Sequence, residues 1–161
     1  MLDLLVFLIP VYVANSSPVV LGGGAPLDLG MRINGKRILG KGKTIRGFAG
    51  GVLAGTLAGI IVALFYPLGF FAGMEQQMIG AFMLALGTLT GDSMGSFLKR
   101  RMGMESGSPF FPDTFIFLMV ALAFVYPFVH NLYELSNLAF FFGLTIILHP
   151  STNFLANKAG L

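Results

Sequence analysis

Residues 41–68 read KGKTIRGFAGGVLAGTLAGIIVALFYPL, a short basic segment followed by an uncharged run that continues to residue 68. An α-helix needs about 20 apolar residues to cross a bilayer, so residues 47–68 predict a membrane-spanning helix with a basic end. Nine of the ten basic residues in the chain lie in two stretches, Arg32 to Arg46 and Lys99 to Arg101, which long apolar runs separate. This distribution indicates a multi-pass membrane protein with one basic side.

Composition points to the same class of protein. Of the 161 residues, 55% are hydrophobic and 11% are charged, and the mean hydropathy is +0.83. A soluble domain of this size could not bury so much apolar surface. We therefore predict an all-α integral membrane protein, a single domain over residues 1–161 with five transmembrane helices. These helices are expected at roughly 2–20, 47–68, 76–98, 113–131 and 135–155.

The basic clusters also predict the orientation. Cytoplasmic connections of membrane proteins are enriched in Lys and Arg, so residues 21–46 and 99–112 are expected to be cytoplasmic loops. The N-terminus then lies outside and the C-terminus, with Lys158, lies inside. Because the positive charge flanks membrane spans, we expect the lipid bilayer and no nucleic acid as its partner.

Polar residues inside the predicted spans concentrate near their cytoplasmic ends. Since polar groups at membrane depth usually face a bundle interior or a water-filled cavity, this predicts a polar cavity open to the cytoplasm. The residues are Asn15, Ser16 and Ser17 on span one, Asp92, Ser93 and Ser96 on span three, Asp113 on span four, and His149, Ser151, Thr152 and Asn153 on span five.

Asp92 is the first candidate for a functional residue, because a carboxylate within a membrane is costly. Thr88, Asp92, Ser96 and Lys99 follow one another at steps of four or three and share one helical face. The alternative is a neutral Asp that only packs helices. Asp113 is expected at the cytoplasmic opening of the same polar cavity. The alternative is that an Asp after Pro and before an apolar run marks an ordinary helix start with an N-cap. Two carboxylates among basic residues suit Mg²⁺ bound with a polyphosphate.

Two glycine rows at steps of four predict close packing of helix backbones in lipid. The alternative for the second row is that its later glycines keep the backbone clear of a ligand beside Asp92. The rows are Gly47, Gly51, Gly55 and Gly59 in the second span, and Gly87, Gly91 and Gly95 in the third.

The connection from Gly22 to Arg46 combines glycines with six cations. It is not a P-loop, because Gly42 stands where Ser or Thr is required after Gly40-Lys41. Basic side chains and backbone N–H groups can still cradle phosphate without that fold. Topology-setting charge with attraction to anionic lipid is the alternative. The glycines lead us to expect a mobile loop, and the sequence leaves open whether it closes over a ligand.

These residues resemble a known family. Gly91 to Arg101, GDSMGSFLKRR, followed by Ser106-Gly107-Ser108-Pro109 and Pro112-Asp113, resembles the signature region of membrane CTP-dependent cytidylyltransferases. Within that group, the loop Asn34-Gly35-Lys36 with Gly40 to Gly47 and the late His149-Pro150-Ser151-Thr152-Asn153 resemble the CDP-archaeol synthases. The resemblance covers almost the whole chain.

The resemblance implies an activity. A CTP-dependent nucleotidyltransferase of this kind moves CMP from CTP to an isoprenoid ether lipid phosphate, 2,3-bis-O-geranylgeranylglycerol 1-phosphate, in phospholipid biosynthesis, and requires Mg²⁺. The related CDP-diacylglycerol synthases close their signature with several acidic residues, whereas only Asp113 follows Pro112 here. The number of metal ions and their full ligand set therefore stay open.

Site residues can be assigned to this chemistry. We expect Asp92 and Asp113 to hold Mg²⁺, with Lys43 and Lys99 as further catalytic residues. The other cations and hydroxyls would bind phosphate, and the amides and histidine would contact the cytosine, the ribose or the lipid headgroup. These substrate-binding candidates are Lys36, Arg46, Arg100, Thr44 and Ser96, and Asn15, Asn34, His149 and Asn153. His149 is equally compatible with a packing role in a polar bundle.

The alternative function is a small anion or nucleotide transporter, because a cationic cytoplasmic cavity would serve it as well. Many transporters contain inverted repeats, and the two halves of this sequence lack an evident one. A requirement for metal and lipid would separate an enzyme from a transporter.

Overall fold

The computed structural model describes residues 1–104, 108 and 110–158, and the side chains of these residues other than 114 and 149–158. Helices dominate this part of the chain, and one short hairpin interrupts them. The elements are α1 (Leu2–Phe7), α2 (Ile9–Leu21), β1 (Arg32–Ile33), β2 (Lys36–Arg37), α3 (Ile45–Phe65), α4 (Met74–Arg101), α5 (Asp113–Val125), a 3₁₀ turn (Tyr126–Phe128) and α6 (Leu135–Lys158).

The first predicted span consists of two helical pieces. Leu8, with φ −83° and ψ −8°, ends α1 and precedes α2. Pro10 accounts for the break, because its ring nitrogen has no hydrogen to donate to the carbonyl of Val6 in the preceding turn. The two pieces together cover the expected span, but as two helices that meet at Leu8.

Helix α4 lies at the centre of the bundle, packed against α2, α3 and α5. It contains 28 residues and is therefore about 42 Å long. By length and composition, two of the described helical segments, Leu2–Leu21 and Ile45–Phe65, can cross a membrane, whereas Phe115–Phe128 and Leu135–Leu148 are shorter apolar helices. The fold is mostly helical, as predicted, and the expected number of five spans stays a prediction.

The glycine row of α3 lies in the groove between α2 and α4. A Cβ at Gly55 would lie 2.7 Å from the Cβ of Ala14 and 2.9 Å from the Cβ of Ala85. Contacts this short leave no room for a side chain, so the backbones approach as closely as glycine allows.

The glycine row of α4 faces a different neighbour, α5. A Cβ at Gly87 would lie 2.7 Å from the Cα of Ala121, and one at Gly91 would lie 2.6 Å from the Cα of Phe117. The two rows therefore do not pack against each other. The row of α3 packs against α2 and α4, and the row of α4 packs against α5. Helix α4 therefore takes part in both sets of contacts.

The end of the bundle away from the basic loop has an apolar core. Phe7 stacks on Phe71 and Phe141, with ring centroids 6.1 and 5.6 Å apart. Gln77 is buried there, but its amide is used by the backbone, since it accepts a hydrogen bond from the N–H of Leu68 and donates one to the carbonyl of Tyr66. This end offers packing rather than a polar path.

The hairpin β1–β2 interrupts the long connection between α2 and α3. Asn34 and Gly35 form its turn, with φ of +51° and +75°, which is the backbone that an Asn-Gly hairpin turn favours. Arg101 at the end of α4 then holds the hairpin, because its guanidinium donates to three backbone carbonyls at 2.8 to 3.3 Å. The basic loop and the C-terminal end of α4 are thereby joined, and we call this region the basic end.

Candidate active site

A cleft at the basic end lies between α2, α3, α4 and the loop. It holds about 290 Å³ of space that is partly open to solvent, and it is lined by Asp92 and Ser93 of α4 and by Lys43 and Thr44 of the loop, with Pro18 of α2 beside them. Lys43 forms an ion pair with Asp92 across the cleft. The cleft therefore joins two of the predicted catalytic residues.

Local sequence explains how Lys43 reaches this position. Thr44 is the N-cap of α3, and its hydroxyl oxygen accepts a hydrogen bond from the N–H of Gly47 at 3.0 Å. This cap determines where the helix begins, so the residue before it enters the cleft from the loop. Thr44 thus has a structural role beside the substrate-binding role predicted for it.

Asp113 begins α5 and forms an ion pair with Lys99 of α4. The N-cap position belongs to Pro112, without a side-chain cap hydrogen bond, and Asp113 is the first residue of α5. The predicted helix start is therefore found, although Asp113 is not itself the N-cap. Gly95 makes room for the carboxylate, because a Cβ at Gly95 would overlap Oδ1 of Asp113. Gly95 therefore serves a site residue as well as helix packing.

The two carboxylates approach the same stretch of α4. Gly95 lies three residues after Asp92, and side chains at this spacing on a helix are about 5–6 Å apart at Cβ. Oδ1 of Asp113 lies beside the position that a Cβ added at Gly95 would occupy. Asp113 thus approaches α4 at a position about one helical turn from Asp92, and each carboxylate forms an ion pair with a lysine.

Both ion pairs are accessible from the basic end. The four side chains are between 13 and 29% exposed, so they are shielded from bulk water yet reachable by a polar ligand. Ion pairs that are only partly buried are held weakly enough to exchange partners. The negative groups of a ligand can therefore bind the lysines in place of the carboxylates, and its positive groups can bind the carboxylates in place of the lysines.

The donor set fits a metal ion that arrives on a substrate. Within the described residues, no group of three or more His, Cys, Asp or Glu side chains is placed to hold a metal ion. Mg²⁺ usually binds through one or two carboxylates together with substrate phosphates and waters, and seldom in a cage made by protein alone. A carboxylate on α4 and another that approaches this helix about one turn away match the first arrangement.

Several other predicted residues surround this region. Ser96 is buried on the same face of α4 as Asp92, and Arg100 is half-buried near the end of that helix. Asn15 is half-buried on α2, three residues before Pro18 of the cleft wall and so on the same helical face. Lys36 extends from the hairpin to α4, since a Cβ at Gly103 would lie 3.0 Å from its Nζ.

Four predicted residues are less directly placed. Arg46 is exposed near the start of α3. Asn34 is exposed at the tip of the hairpin, where its turn-forming conformation by itself accounts for an Asn. The side chains of His149 and Asn153 lie outside the described residues.

Asp28 is the residue that the sequence analysis missed. It is 2% exposed and accepts hydrogen bonds from Arg37 and from the backbone N–H groups of Gly30, Leu39 and Gly40. Burial alone would raise the pKa of Asp28, but these donors together lower the pKa to about 2. One signal was available, since Asp28 is the single acidic residue between positions 22 and 46.

Fold and site together define a class of protein: a helical protein with segments long and apolar enough to cross a membrane and a basic, carboxylate-bearing cleft at one end. The comparisons specify the family. The family model described as CarS-like, CDP-archaeol synthase, matches residues 1–161, and the chain belongs to this family.

Curated relatives and a solved structure agree with the family. The chain is 44% identical over 156 residues to a CDP-archaeol synthase of Pyrococcus horikoshii, covering 96% of this chain and 90% of the relative. It is 39% identical over 163 residues to the CDP-archaeol synthase of Methanocaldococcus jannaschii, covering 96% and 91%. A solved structure described as an intramembrane enzyme for archaeal membrane lipids biosynthesis superposes with a TM-score of 0.83 at 34% identity, covering 96% of this chain and 94% of that one.

The predicted activity is therefore confirmed. The chain is a CTP-dependent membrane cytidylyltransferase that acts on a lipid phosphate in archaeal lipid synthesis. The transporter alternative is not favoured, because the matching relatives and the matching structure are lipid-synthesis enzymes.

Proposed function

We propose that the chain transfers CMP from CTP to 2,3-bis-O-geranylgeranylglycerol 1-phosphate, and that Asp92 and Asp113 hold Mg²⁺ on the CTP phosphates. One observation carries this proposal: Asp92 on α4, and Asp113 against α4 about one helical turn away, are each paired with a lysine at the basic end of the bundle. Carboxylates suit the metal ion and lysines suit the phosphates. This arrangement supports a binding site for Mg·CTP.

The reaction is a displacement at phosphorus. An oxygen of the lipid phosphate attacks the α-phosphorus of CTP, a new P–O bond forms, and the bond between the α-phosphorus and the bridging oxygen to the β-phosphate breaks. Pyrophosphate leaves with the electron pair of that bond. No protein nucleophile is needed, so the side chains act by binding, orientation and charge.

Electrostatics decides which side chains matter. Two unit charges about 4 Å apart repel by about 4 kcal/mol at an effective dielectric constant of 20, and both reactants are anions. On binding of CTP, Lys43 and Lys99 move from their carboxylates to the phosphates. Bound Mg²⁺ would supply further neutralisation of the leaving pyrophosphate. Asp92 and Asp113, once released from their lysines, would be free to hold the metal ion.

The remaining assignments are part of the same proposal. Cations near the cleft neutralise the triphosphate and the lipid phosphate, and hydroxyls add hydrogen bonds. The amides and the histidine contact the base, the ribose or the glycerol. The cations are Lys36, Arg46 and Arg100, and the hydroxyls are those of Thr44 and Ser96. The amides are those of Asn15, Asn34 and Asn153, and the histidine is His149.

The proposed topology places this site at the cytoplasmic surface of the cell membrane, where CTP is available. The chain would form a single multi-pass domain of five spans, with the N-terminus outside, the C-terminus inside, and cytoplasmic loops at 21–46 and 99–112. The basic loop supports this orientation, because Lys and Arg are retained on the cytoplasmic side.

Topology can be tested cleanly, since the chain contains no cysteine. Lys41→Cys in the basic loop and Gly69→Cys at the other end both introduce an exposed thiol. A membrane-impermeant maleimide should label Gly69→Cys in intact cells and Lys41→Cys only after lysis. The opposite pattern would invert the proposed orientation.

The activity itself is tested with CTP labelled at the α-phosphorus, Mg²⁺ and the geranylgeranyl ether lipid phosphate. We expect label to enter the lipid only when all three are present, and a chelator to abolish transfer. CTP labelled at the γ-phosphorus should leave the lipid unlabelled and label pyrophosphate. Equal transfer without divalent metal, or equal transfer to a diacyl lipid phosphate, would overturn the proposed cofactor or the proposed substrate.

A further inference from the structure

We propose that Asp28 is a positioning residue for the active site, which shapes the basic loop so that Lys43 meets the substrate phosphates. This inference rests on the proposed function in one respect, that Lys43 binds CTP. Among the described residues, the hydrogen-bond partners of Asp28 are Gly30, Arg37, Leu39 and Gly40, and none of them belongs to the Lys43–Asp92 or Lys99–Asp113 pair. Its effect passes through the backbone of the loop.

The carboxylate of Asp28 is the centre of the loop. Oδ1 accepts from Arg37 Nη2 at 2.6 Å and from the N–H of Gly30 at 3.0 Å, while Oδ2 accepts from the N–H groups of Leu39 and Gly40 at 3.1 and 3.3 Å. Four donors thus converge on one buried carboxylate. Hydrogen bonds to an ionised group are about twice as strong as neutral ones, so this contact favours one fixed loop conformation over the mobile loop that the glycines predicted.

Backbone hydrogen bonds connect the segment that contains Asp28 to Lys43. The N–H of Leu27 donates to the carbonyl of Lys43 at 2.7 Å, and the N–H of Ile45 donates to the carbonyl of Ala25 at 3.0 Å. Asp28 is therefore the next residue along a segment that pairs directly with Lys43. Because Asp28 also holds Gly40, Lys43 is fixed from both sides, and Leu27 and Lys43 line the same cleft.

The charge distribution of the loop explains why an aspartate is used. Six cations in a glycine-rich segment repel one another, and phosphate binding requires most of them to stay unneutralised. Asp28 forms an ion pair with Arg37 and takes its other hydrogen bonds from backbone N–H groups. Asp28 therefore orders the loop while neutralising only Arg37, and Lys43 can still exchange Asp92 for a substrate phosphate.

The experiment is a double-mutant cycle between Asp28→Ala and Lys43→Met, with Asp3→Asn as a control. Asp3 is an acidic residue at the opposite end, where its carboxylate accepts a hydrogen bond from Tyr66. Asp28→Ala should raise KM for CTP about ten-fold or more with a smaller change in kcat. Adding Lys43→Met to Asp28→Ala should then raise KM little further, because Lys43 is already misplaced. Fully independent effects of the two substitutions would overturn the proposal.

Loop order provides a readout that does not depend on activity. Trypsin cleaves after Lys and Arg, and the loop contains several between Arg32 and Lys43. Cleavage there should accelerate about ten-fold or more in Asp28→Ala and stay unchanged in Asp3→Asn. Unchanged cleavage in Asp28→Ala would overturn the inference even if activity falls.

A milder variant covers the case in which Asp28→Ala fails to fold. Asp28→Asn keeps an oxygen for the N–H groups of Leu39 and Gly40 and loses the charge toward Arg37, so intermediate cleavage and an intermediate KM are expected. Wild-type behaviour in Asp28→Asn for both measurements would contradict the role of the charge. If the wild type itself lacks metal-dependent transfer, the proposed function fails, and the cleavage measurement still decides whether Asp28 orders the loop.

Discussion

Replacing Gly95 with alanine should displace the carboxylate of Asp113 and reduce cytidylyl transfer without unfolding the bundle. The added methyl carbon would overlap Oδ1 of Asp113, so the carboxylate must move by at least about 1 Å to restore van der Waals contact. A misplacement of about 1 Å in a catalytic constellation can cost about 10²-fold in rate. That factor corresponds to about 2.7 kcal/mol of activation free energy.

Helix stability cannot explain such a loss. Alanine is favoured over glycine in a helix interior by about 1 kcal/mol, so Gly95→Ala should keep or raise the helical signal. Gly143→Ala on α6 is the matched control, because a Cβ there meets no atom within 4 Å and the substitution should leave activity unchanged.

The assay follows transfer of label from the α-phosphorus of CTP to the lipid, alongside thermal unfolding in detergent by circular dichroism. We expect Gly95→Ala to fold like the wild type and to lose about 10²-fold in kcat/KM. Activity within about three-fold of the wild type in a folded Gly95→Ala protein would refute the argument that the position of Asp113 controls the reaction.

Three further predictions concern the cleft, the packing and the loop. Lys43→Met should raise KM for CTP about ten-fold and tighten Mn²⁺ binding without CTP, measured by electron paramagnetic resonance, because Asp92 loses its competing ammonium. Gly55→Val should cost about 2 kcal/mol or more by overpacking and lower the thermal midpoint in detergent, whereas an unchanged midpoint would argue against tight packing of that groove. The pKa of Asp28 is lowered from 3.8 to about 2, so its stabilisation is complete above pH 4 and is lost as the pH falls through 2. Hydrogen exchange at Leu39 and Gly40, corrected for intrinsic rates, should lose protection over that range and stay constant above it.

The class of fold was predictable from sequence because it depends on local signals, and the same signals select Asp92 as a candidate site residue. Apolar run length and the position of Lys and Arg report on membrane helices, and a carboxylate inside such a run identifies Asp92 by its cost. The glycine rows also predicted close packing correctly. A step of four defines a helix face but not its neighbour, which is why the separate partners of Gly55 and Gly91 emerged only from the structure.

The conformation of the loop and the contacts of Asp113 could not be predicted from local sequence signals. A Pro-Asp pair before an apolar run predicts a helix start, and α5 does begin at Asp113. The ion pair of Asp113 with Lys99 and its fit against Gly95 are tertiary contacts, which the local sequence does not specify. Asp28 was overlooked because its donors lie up to 12 residues away in sequence and three of the four are backbone N–H groups, which leave no trace in side-chain patterns. Asn34-Gly35 did carry a readable hairpin signal.

The most direct test of the central claim is the rate of label transfer from CTP to the lipid phosphate in Asp92→Asn and Asp113→Asn, each compared with Asp3→Asn. If the two carboxylates jointly hold the metal–nucleotide complex, both variants should lose about 10²-fold or more while Asp3→Asn keeps wild-type activity. If either variant retains activity within about three-fold of the wild type, that aspartate is not part of the metal site and the paired-carboxylate account is contradicted.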